Sequence, residues 1–286
     1  MNNYKENKDK LARAFGVELE FVCSKSREEM IDIIKRVTGI TVRTASYSDK
    51  DITQWRLKQD GSINVETGFY NGMELVTPRL TSWRHLEQLK MIADIFNEYG
   101  KVNKSCGMHV HVEIKDAENT QVKKLMKFFA KYEKGINTIL PRSRRGVYPD
   151  NIYSYDSFAE VTNLKKVFRY LNGKCTNSLL GYRKFAGRGK WNFKNFMRHG
   201  TFENRAHSGT LDSNKIEQWV FLTQAMVACA FDCRGQVIRT EDTTETYDIF
   251  HMLKNLKAKQ LIDADTVKFY KKRHAKLMND DNVGAV

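Results

Sequence analysis

Cys106-Gly107-Met108-His109-Val110-His111-Val112-Glu113-Ile114 alternates with a period of two: Met108, Val110, Val112 and Ile114 are apolar, whereas His109, His111 and Glu113 are polar. That period belongs to a β-strand, whose successive side chains point to opposite faces. One face is thus apolar and turned towards a core. The other carries two imidazoles and a carboxylate, where a solvated face more commonly carries Thr, Lys and Ser. Two readings are open here: a pair of surface histidines, or a site built of metal-competent groups.

The same alternation runs through Phe15 to Val22. Phe15, Val17, Leu19 and Phe21 line one face, and Glu18 and Glu20 share the other. Carboxylates side by side on a sheet repel, so the pair points to a cation site or else to a solvent-facing strand. In Gly72-Met73-Glu74-Leu75-Val76-Thr77-Pro78 the lone charge, Glu74, belongs either at an exposed edge or in a site. In Thr201 to His207, the residues Thr201, Glu203, Arg205 and His207 share a face opposite Phe202, Asn204 and Ala206.

Helical patterns separate these strands. Ser26 with Glu29 forms a capping box, Met30, Ile33, Ile34 and Val37 make a buried stripe, and Gly39 stops the helix. Strands are expected at about 40–47 and 54–58, the second running into the turn Asp60-Gly61-Ser62 with a return strand near Ile63. Further helices are expected at about 82–99, closed by Gly100, and at 120–134 and 156–171. Another starts from a cap at Asp212 or Ser213, with Ile216, Trp219, Val220, Thr223 and Val227 inward. From about Glu245 the pattern is two helices with basic outer faces, including Lys271, Lys272, Arg273 and Lys276. The expected architecture is α+β: a curved, mostly antiparallel sheet backed by helices, gathering the polar faces on one concave surface.

The bulk numbers narrow the function classes. The chain has 286 residues, 41% hydrophobic and 29% charged, with only three prolines and no linker-like stretch, so one continuous domain is expected. The polar N-terminus lacks a signal-peptide core, and the longest apolar run, Ala225 to Phe231, is too short to span a bilayer, which excludes a membrane role. Five cysteines without metal-type spacing and without a secretion signal point to the reducing cytoplasm. The net charge of +14 predicts attraction to polyanions, acidic substrates or nucleotide phosphates. Between Thr176 and Phe202 there is no acidic residue. Arg183, Lys184, Arg188, Lys190, Lys194 and Arg198 alternate there with Tyr182, Phe185, Trp191, Phe193 and Phe196. Such a block suits single-stranded nucleic acid, and equally a nucleoside triphosphate with its base.

Converging carboxylates repel by several kcal/mol unless cations lie between them. Carboxylates with an occasional imidazole favour Mg²⁺ or Mn²⁺, usually together with substrate phosphates. An arginine alongside suits a transferring phosphoryl group. The chain contains neither a P-loop nor a dinucleotide fingerprint. The residues therefore describe a multi-metal ATP site of another kind.

Five motifs occur in order: Gly16-Val17-Glu18-Leu19-Glu20, Asp60-Gly61-Ser62, Glu74-Leu75-Val76-Thr77-Pro78, Gly107-Met108-His109-Val110-His111, and Glu203-Asn204-Arg205-Ala206-His207 followed by Gly209-Thr210-Leu211-Asp212. Together they resemble the amidoligase family, a branch of the carboxylate–amine ligase superfamily of glutamine synthetase and glutamate–cysteine ligase. The resemblance covers residues 14–235 as a catalytic domain, with 236–286 as a helical extension packed on it. It implies a glutamine-synthetase-like open half-barrel lined by metal ligands. It also implies ATP as co-substrate, two or more Mg²⁺ (or Mn²⁺) ions, and an amide bond formed through an acyl phosphate. On that basis Glu20 shares one ion with Glu74 and Asp60, and Glu18 shares the other with His109 and Glu203. Arg205 stabilises the γ-phosphoryl group. His111 orients His109 or touches phosphate, and Lys58, Arg183, Lys184 and Arg188 are candidates for ATP contacts, with a surface lysine the alternative for Lys58. The partners are then ATP, a carboxylate and an amine, the acceptor being a small molecule or an acidic peptide or macromolecule.

Two other readings compete. A metal hydrolase or cupin-like protein would use His109, His111 and Glu113 as a facial triad, leaving Glu18, Glu20, Glu74 and Arg205 unexplained. A basic nucleic-acid-binding protein would use the net charge and the block at 182–198, although no DNA- or RNA-binding motif accompanies them.

Overall fold

The computed structural model describes residues 13–65, 67, 71–145, 190–232 and 248–283. Among them are strands β1 (Phe15–Cys23), β2 (Val42–Ala45), β3 (Trp55–Gln59), β4 (Asn71–Val76), β5 (Gly100–Lys101), β6 (Gly107–Glu113), β7 (Trp191–Asn192) and β8 (Thr201–Ser208). The helices are α1 (Arg27–Thr38), α2 (Trp83–Tyr99), α3 (Asn119–Asn137), α4 (Lys194–His199), α5 (Ser213–Asp232), α6 (Ile249–Ala258) and α7 (Ala264–Val283). β1 pairs antiparallel with β4, β5 and β6, as do β3 with β4 and β7 with β8, while β2 and β3 are parallel, which makes this a mixed α/β protein with a mostly antiparallel open sheet. No helix of the described residues is long and apolar enough to cross a membrane.

The chain divides into two compact units. The first, Ala12–Val112 with Ala206–Phe221, holds strands in the order β2-β3-β4-β1-β6, with β5 paired to the end of β1. β1 is central because its odd positions, Phe15 to Phe21, are buried and both of its edges find partners. Leu19, Phe21, Leu57, Met73, Leu75, Met108 and Val110 form a fully buried apolar face. α1 and α2 complete this core through Met30 and Ile34, and through Leu86, Leu89, Ile92 and Phe96, the last stacked near Phe21 at 4.3 Å between ring centroids. Local signals behave as the sequence indicates. Ser26 and Glu29 make the reciprocal capping box, and Gly39 takes the left-handed conformation that ends α1 (φ 72°).

The second unit holds Glu113–Arg205 and Leu222–Val286. In it β7 pairs with the first half of β8, and Phe129 of α3 stacks on Trp191 and Phe202 with centroids 4.3 and 4.7 Å apart. α6 packs on α3, where Tyr132 Oη meets His251 Nδ1 at 3.0 Å. The two helices read from about Glu245 are α6 and α7; Lys271, Lys272 and Lys276 are exposed, while Arg273 Nε donates to the Ile139 carbonyl at 2.7 Å.

One expectation needs correction. The return strand does not start near Ile63 but at Asn71: Ile63 drops into a small core with Val22 and Cys106, and the Asn64 N–H donates to Ser105 Oγ, so the chain leaves the ladder. Gly100 closes α2, as the sequence indicates. It is extended (φ −136°), and its role is close approach, since a Cβ there would sit 2.7 Å from the Val22 carbonyl oxygen. Within the basic-aromatic block, Lys190 and Trp191 are interior. Lys190 is fully buried with Nζ donating to Asn137 Oδ1 at 2.7 Å, and Trp191 lies against Phe129. The part of that block before Lys190, including Arg183, Lys184 and Arg188, and the helix expected at 156–171 lie outside the described residues.

Candidate active site

Register in the first unit sets the site. Antiparallel partners share a face, so Arg56 lies opposite Val76, Val76 opposite Glu18, and Glu18 opposite His109. One step along, Lys58 lies opposite Glu74, and Glu74 opposite Glu20. Two rows of chemistry-bearing side chains thus cross four strands on the face away from the apolar core. Asp60, just past the end of β3, adds a further carboxylate.

These groups converge. Glu18, Glu74 and His109 each offer a ligand atom, all within 4.8 Å of one another, and so do Glu20, Asp60 and Glu74. Glu74 belongs to both groups. His109 Nδ1 is 2.7 Å from Glu18 Oε2, and its Nε2 is 3.6 Å from Glu20 Oε1. His111 Nε2 stands 3.3 Å from the other Glu18 oxygen, so two imidazoles bracket that carboxylate. The Gly107 N–H donates to Glu20 Oε2 at 2.6 Å, and Asp60 Oδ1 accepts from the Ser62 N–H and hydroxyl at 2.8 and 2.7 Å. Gly107 is required there: a Cβ would lie 2.9 Å from His109 Nε2 and 3.3 Å from Glu20 Oε2.

The electrostatics are tense. Two ionised carboxylates with oxygens within 4.8 Å of one another repel by at least about 3 kcal/mol at an effective dielectric of 20. Burial and then the Glu18 charge push the Glu74 carboxyl well above the usual range, and Lys58 offsets only part of this. Glu18 goes the other way: burial works to raise it, but the contacts with His109 and His111 prevail and hold it well below. Lys58 is not a surface lysine; it is buried, with Nζ 3.8 Å from Glu74 Oε2.

In the second unit, Glu203 and Arg205 share a face of β8, and Arg205 Nη1 donates to Glu203 Oε1 at 2.6 Å. Glu203 is buried, and its Oε2 accepts from the side-chain amides of Asn192 and, at 2.7 Å, Asn195. The two asparagines were not singled out by sequence. The available signal is Trp191-Asn192-Phe193, a short strand with an amide between two aromatics. Glu113 pairs with Lys115 Nζ at 3.2 Å. Four residues along a strand from His109, it is about 13 Å away by backbone rise, too far for one ion to bridge the facial triad.

Hard oxygen donors, with a single imidazole in one group and none in the other, fit Mg²⁺ or Mn²⁺ rather than a thiolate-preferring metal. A mostly antiparallel sheet that carries carboxylates and imidazoles on one face defines a candidate divalent-cation site. More particularly, the chain belongs to the amidoligase family: the family described as "Putative amidoligase enzyme" matches residues 11–227. Among solved structures it is similar to a bifunctional glutathione synthetase from Pasteurella multocida, at 11% identity and a TM-score of 0.42. That match covers 97% of this chain, which spans about half (49%) of the other. At that score the likeness carries no argument here. Among curated proteins there is no match.

Proposed function

We propose that the protein is an ATP-dependent carboxylate–amine ligase that forms an amide bond through an acyl phosphate. The observation that carries this is the sharing of Glu74 between two ligand groups, one with Glu18 and His109, the other with Glu20 and Asp60. One buried carboxylate serving two groups can bridge a pair of neighbouring Mg²⁺ ions, and family membership supplies the reaction class. When bound, Mg²⁺ neutralises phosphate charge and lowers the repulsion between incoming carboxylate and γ-phosphoryl group.

The chain's own residues then have definite tasks. Glu18, Glu20, Asp60, Glu74 and His109 hold the ions, and His111 keeps Glu18 ionised and oriented. Glu203, fixed by Asn192 and Asn195, positions the Arg205 guanidinium, which faces charge developing on the transferred phosphoryl group. The substrate carboxylate attacks the γ-phosphorus, the bond to ADP breaks, and an acyl phosphate forms. The amine nitrogen then attacks the acyl carbon, phosphate leaves, and the nitrogen gives up a proton. The glutamine-synthetase-like half-barrel, the catalytic domain at 14–235 and the extension beyond it belong to the same proposal. So does a cytoplasmic setting.

The test is Mg²⁺-dependent release of ADP across pairs of carboxylates and amines. Arg205→Ala is expected to abolish turnover while the variant stays folded.

A further inference from the structure

Arg56 stands two residues before Lys58 on β3, on the same face of the sheet, and its side chain is 5% exposed. A guanidinium cannot shed its charge, so each buried N–H needs an acceptor. Nη1 has one residue to serve it: it donates to the Asp49 carbonyl at 2.7 Å and lies 3.3 Å from Asp49 Oδ1. The other side of the group is different. The Nε–H is buried without a partner, and Nη2 has none either among the described residues. Nε–H and the Nη2–H beside it form the side-on edge with which arginine grips a carboxylate or phosphate by two parallel hydrogen bonds.

Holding the loop between β2 and β3 does not account for that edge. Asp49 is also bound by Arg43 Nη1 at 2.7 Å, so the loop is already fastened, and Arg56 contributes to it through Nη1 alone. The row across the sheet places Arg56 in line with the carboxylate cluster. Arg56 and Glu18 lie two strands apart with Val76 between them, about 10 Å from Cα to Cα. A ligand with two anionic ends and a short apolar stem would lie along this row. One end would sit among the carboxylate-held ions, the stem over Val76, and the other end on Arg56.

We propose that the Nε/Nη2 edge of Arg56 receives an oxyanion of one of the ligase's substrates: a phosphate of the nucleotide or a second carboxylate of the acceptor. This rests on the ligase reading and adds to it that the substrate meeting Arg56 is doubly anionic. The Lys58 ammonium, engaged with Glu74, is not the receptor. Arg56 binds and orients, and takes no part in bond making.

The experiment observes the Arg56 Nε–Hε resonance in the full chain labelled with ¹⁵N-arginine, assigned by its disappearance in Arg56→Lys and, independently, in Arg56→Gln. Inorganic phosphate and succinate are titrated separately with Mg²⁺ present, without ATP or amine, each against sodium chloride at matched ionic strength. A saturable shift is expected in at least one arm. A shift with phosphate alone assigns the edge to the nucleotide, with succinate alone to the acceptor carboxylate, and with both to a general oxyanion receptor. No shift in either arm, or the same shift with chloride, overturns the proposal. Asp49→Asn, which loosens the loop but leaves the edge, is expected to keep the saturable shift; losing it there would mean that Arg56 acts only through the loop. No turnover is needed, so the result stands whether or not the ligase reading does. ADP release without any Arg56 shift would leave that reading intact and remove this site.

Discussion

Glu20 of β1 and Glu74 of β4 lie directly opposite each other on one face of an antiparallel pair. A sheet built for stability avoids this, because like charges in direct register destabilise it. The arrangement becomes favourable once a proton or a cation sits between the oxygens. In the metal-free protein the Glu74 carboxyl therefore holds its proton to higher pH than an ordinary carboxyl does, and a divalent ion is expected to compete with that proton.

That exchange sets a pH dependence. Glu74 has a folded-state pKa raised above its unfolded value, so its contribution favours folding below the unfolded pKa of about 4.3 and is lost as pH rises through the window up to the raised value. In EDTA, stability should fall across that window, and Glu74→Gln should remove the fall. Mg²⁺ affinity should rise over the same range, because each ion bound releases a proton. Thermal melts with and without Mg²⁺, from about pH 5 to pH 8, check both signs. Glu18, held low by its two imidazole neighbours, contributes in the opposite sense: its stabilisation is present above the unfolded pKa and is lost only as pH falls through the folded value.

Gly107→Ala should weaken the site without unfolding the sheet. The added Cβ meets His109 Nε2 at 2.9 Å, and the ring must turn away from Glu20. Disturbing an oriented ligand in this way typically costs about 10- to 100-fold in metal affinity. Calorimetric titration with Mn²⁺ reads this directly, and unchanged affinity would mean that His109 is not a ligand.

Asn192→Ala removes one of the two amides that hold Glu203 Oε2. A buried carboxylate oxygen short of a donor costs about 1–3 kcal/mol of stability. Arg205, hydrogen-bonded to the other oxygen, should lose its orientation at the same time. Urea unfolding should show the stability loss, and ADP release should fall further than stability alone explains.

Lys190 and Glu133 are buried at 0% and 1% side-chain exposure, 3.5 Å apart. Lys190→Met alone leaves a buried carboxylate without its cation and should cost about 3–5 kcal/mol, whereas Lys190→Met with Glu133→Leu should recover much of that. A double-mutant cycle by chemical denaturation gives the answer. Additive effects would show that the pair is not coupled.

What the sequence reveals and what it hides divide along physical lines. Strand alternation at Phe15–Phe21 and Gly107–Glu113, the Ser26/Glu29 capping box and the Gly39 stop depend on neighbours a few residues away, and each is legible from the chain alone. The facing of Lys58 and Glu74, which turns an apparent surface lysine into a buried one, depends on pairing between β3 and β4 across a connection longer than a hairpin turn. The pairing of Arg56 with Asp49 and the amides on Glu203 are likewise products of register and loop path, with no local period to announce them. Motif order could nominate Glu18, Glu20, Asp60, Glu74 and His109, but which carboxylate two groups share is decided by three dimensions only.

The central claim is an ATP-dependent joining of a carboxylate to an amine. Its most direct test is ADP release by the purified chain in Mg²⁺, with carboxylate alone, amine alone and both together, run beside Glu203→Gln. The account predicts release only when both substrates and Mg²⁺ are present, and its loss in the variant. Release that needs no amine, or full turnover by Glu203→Gln, would contradict it.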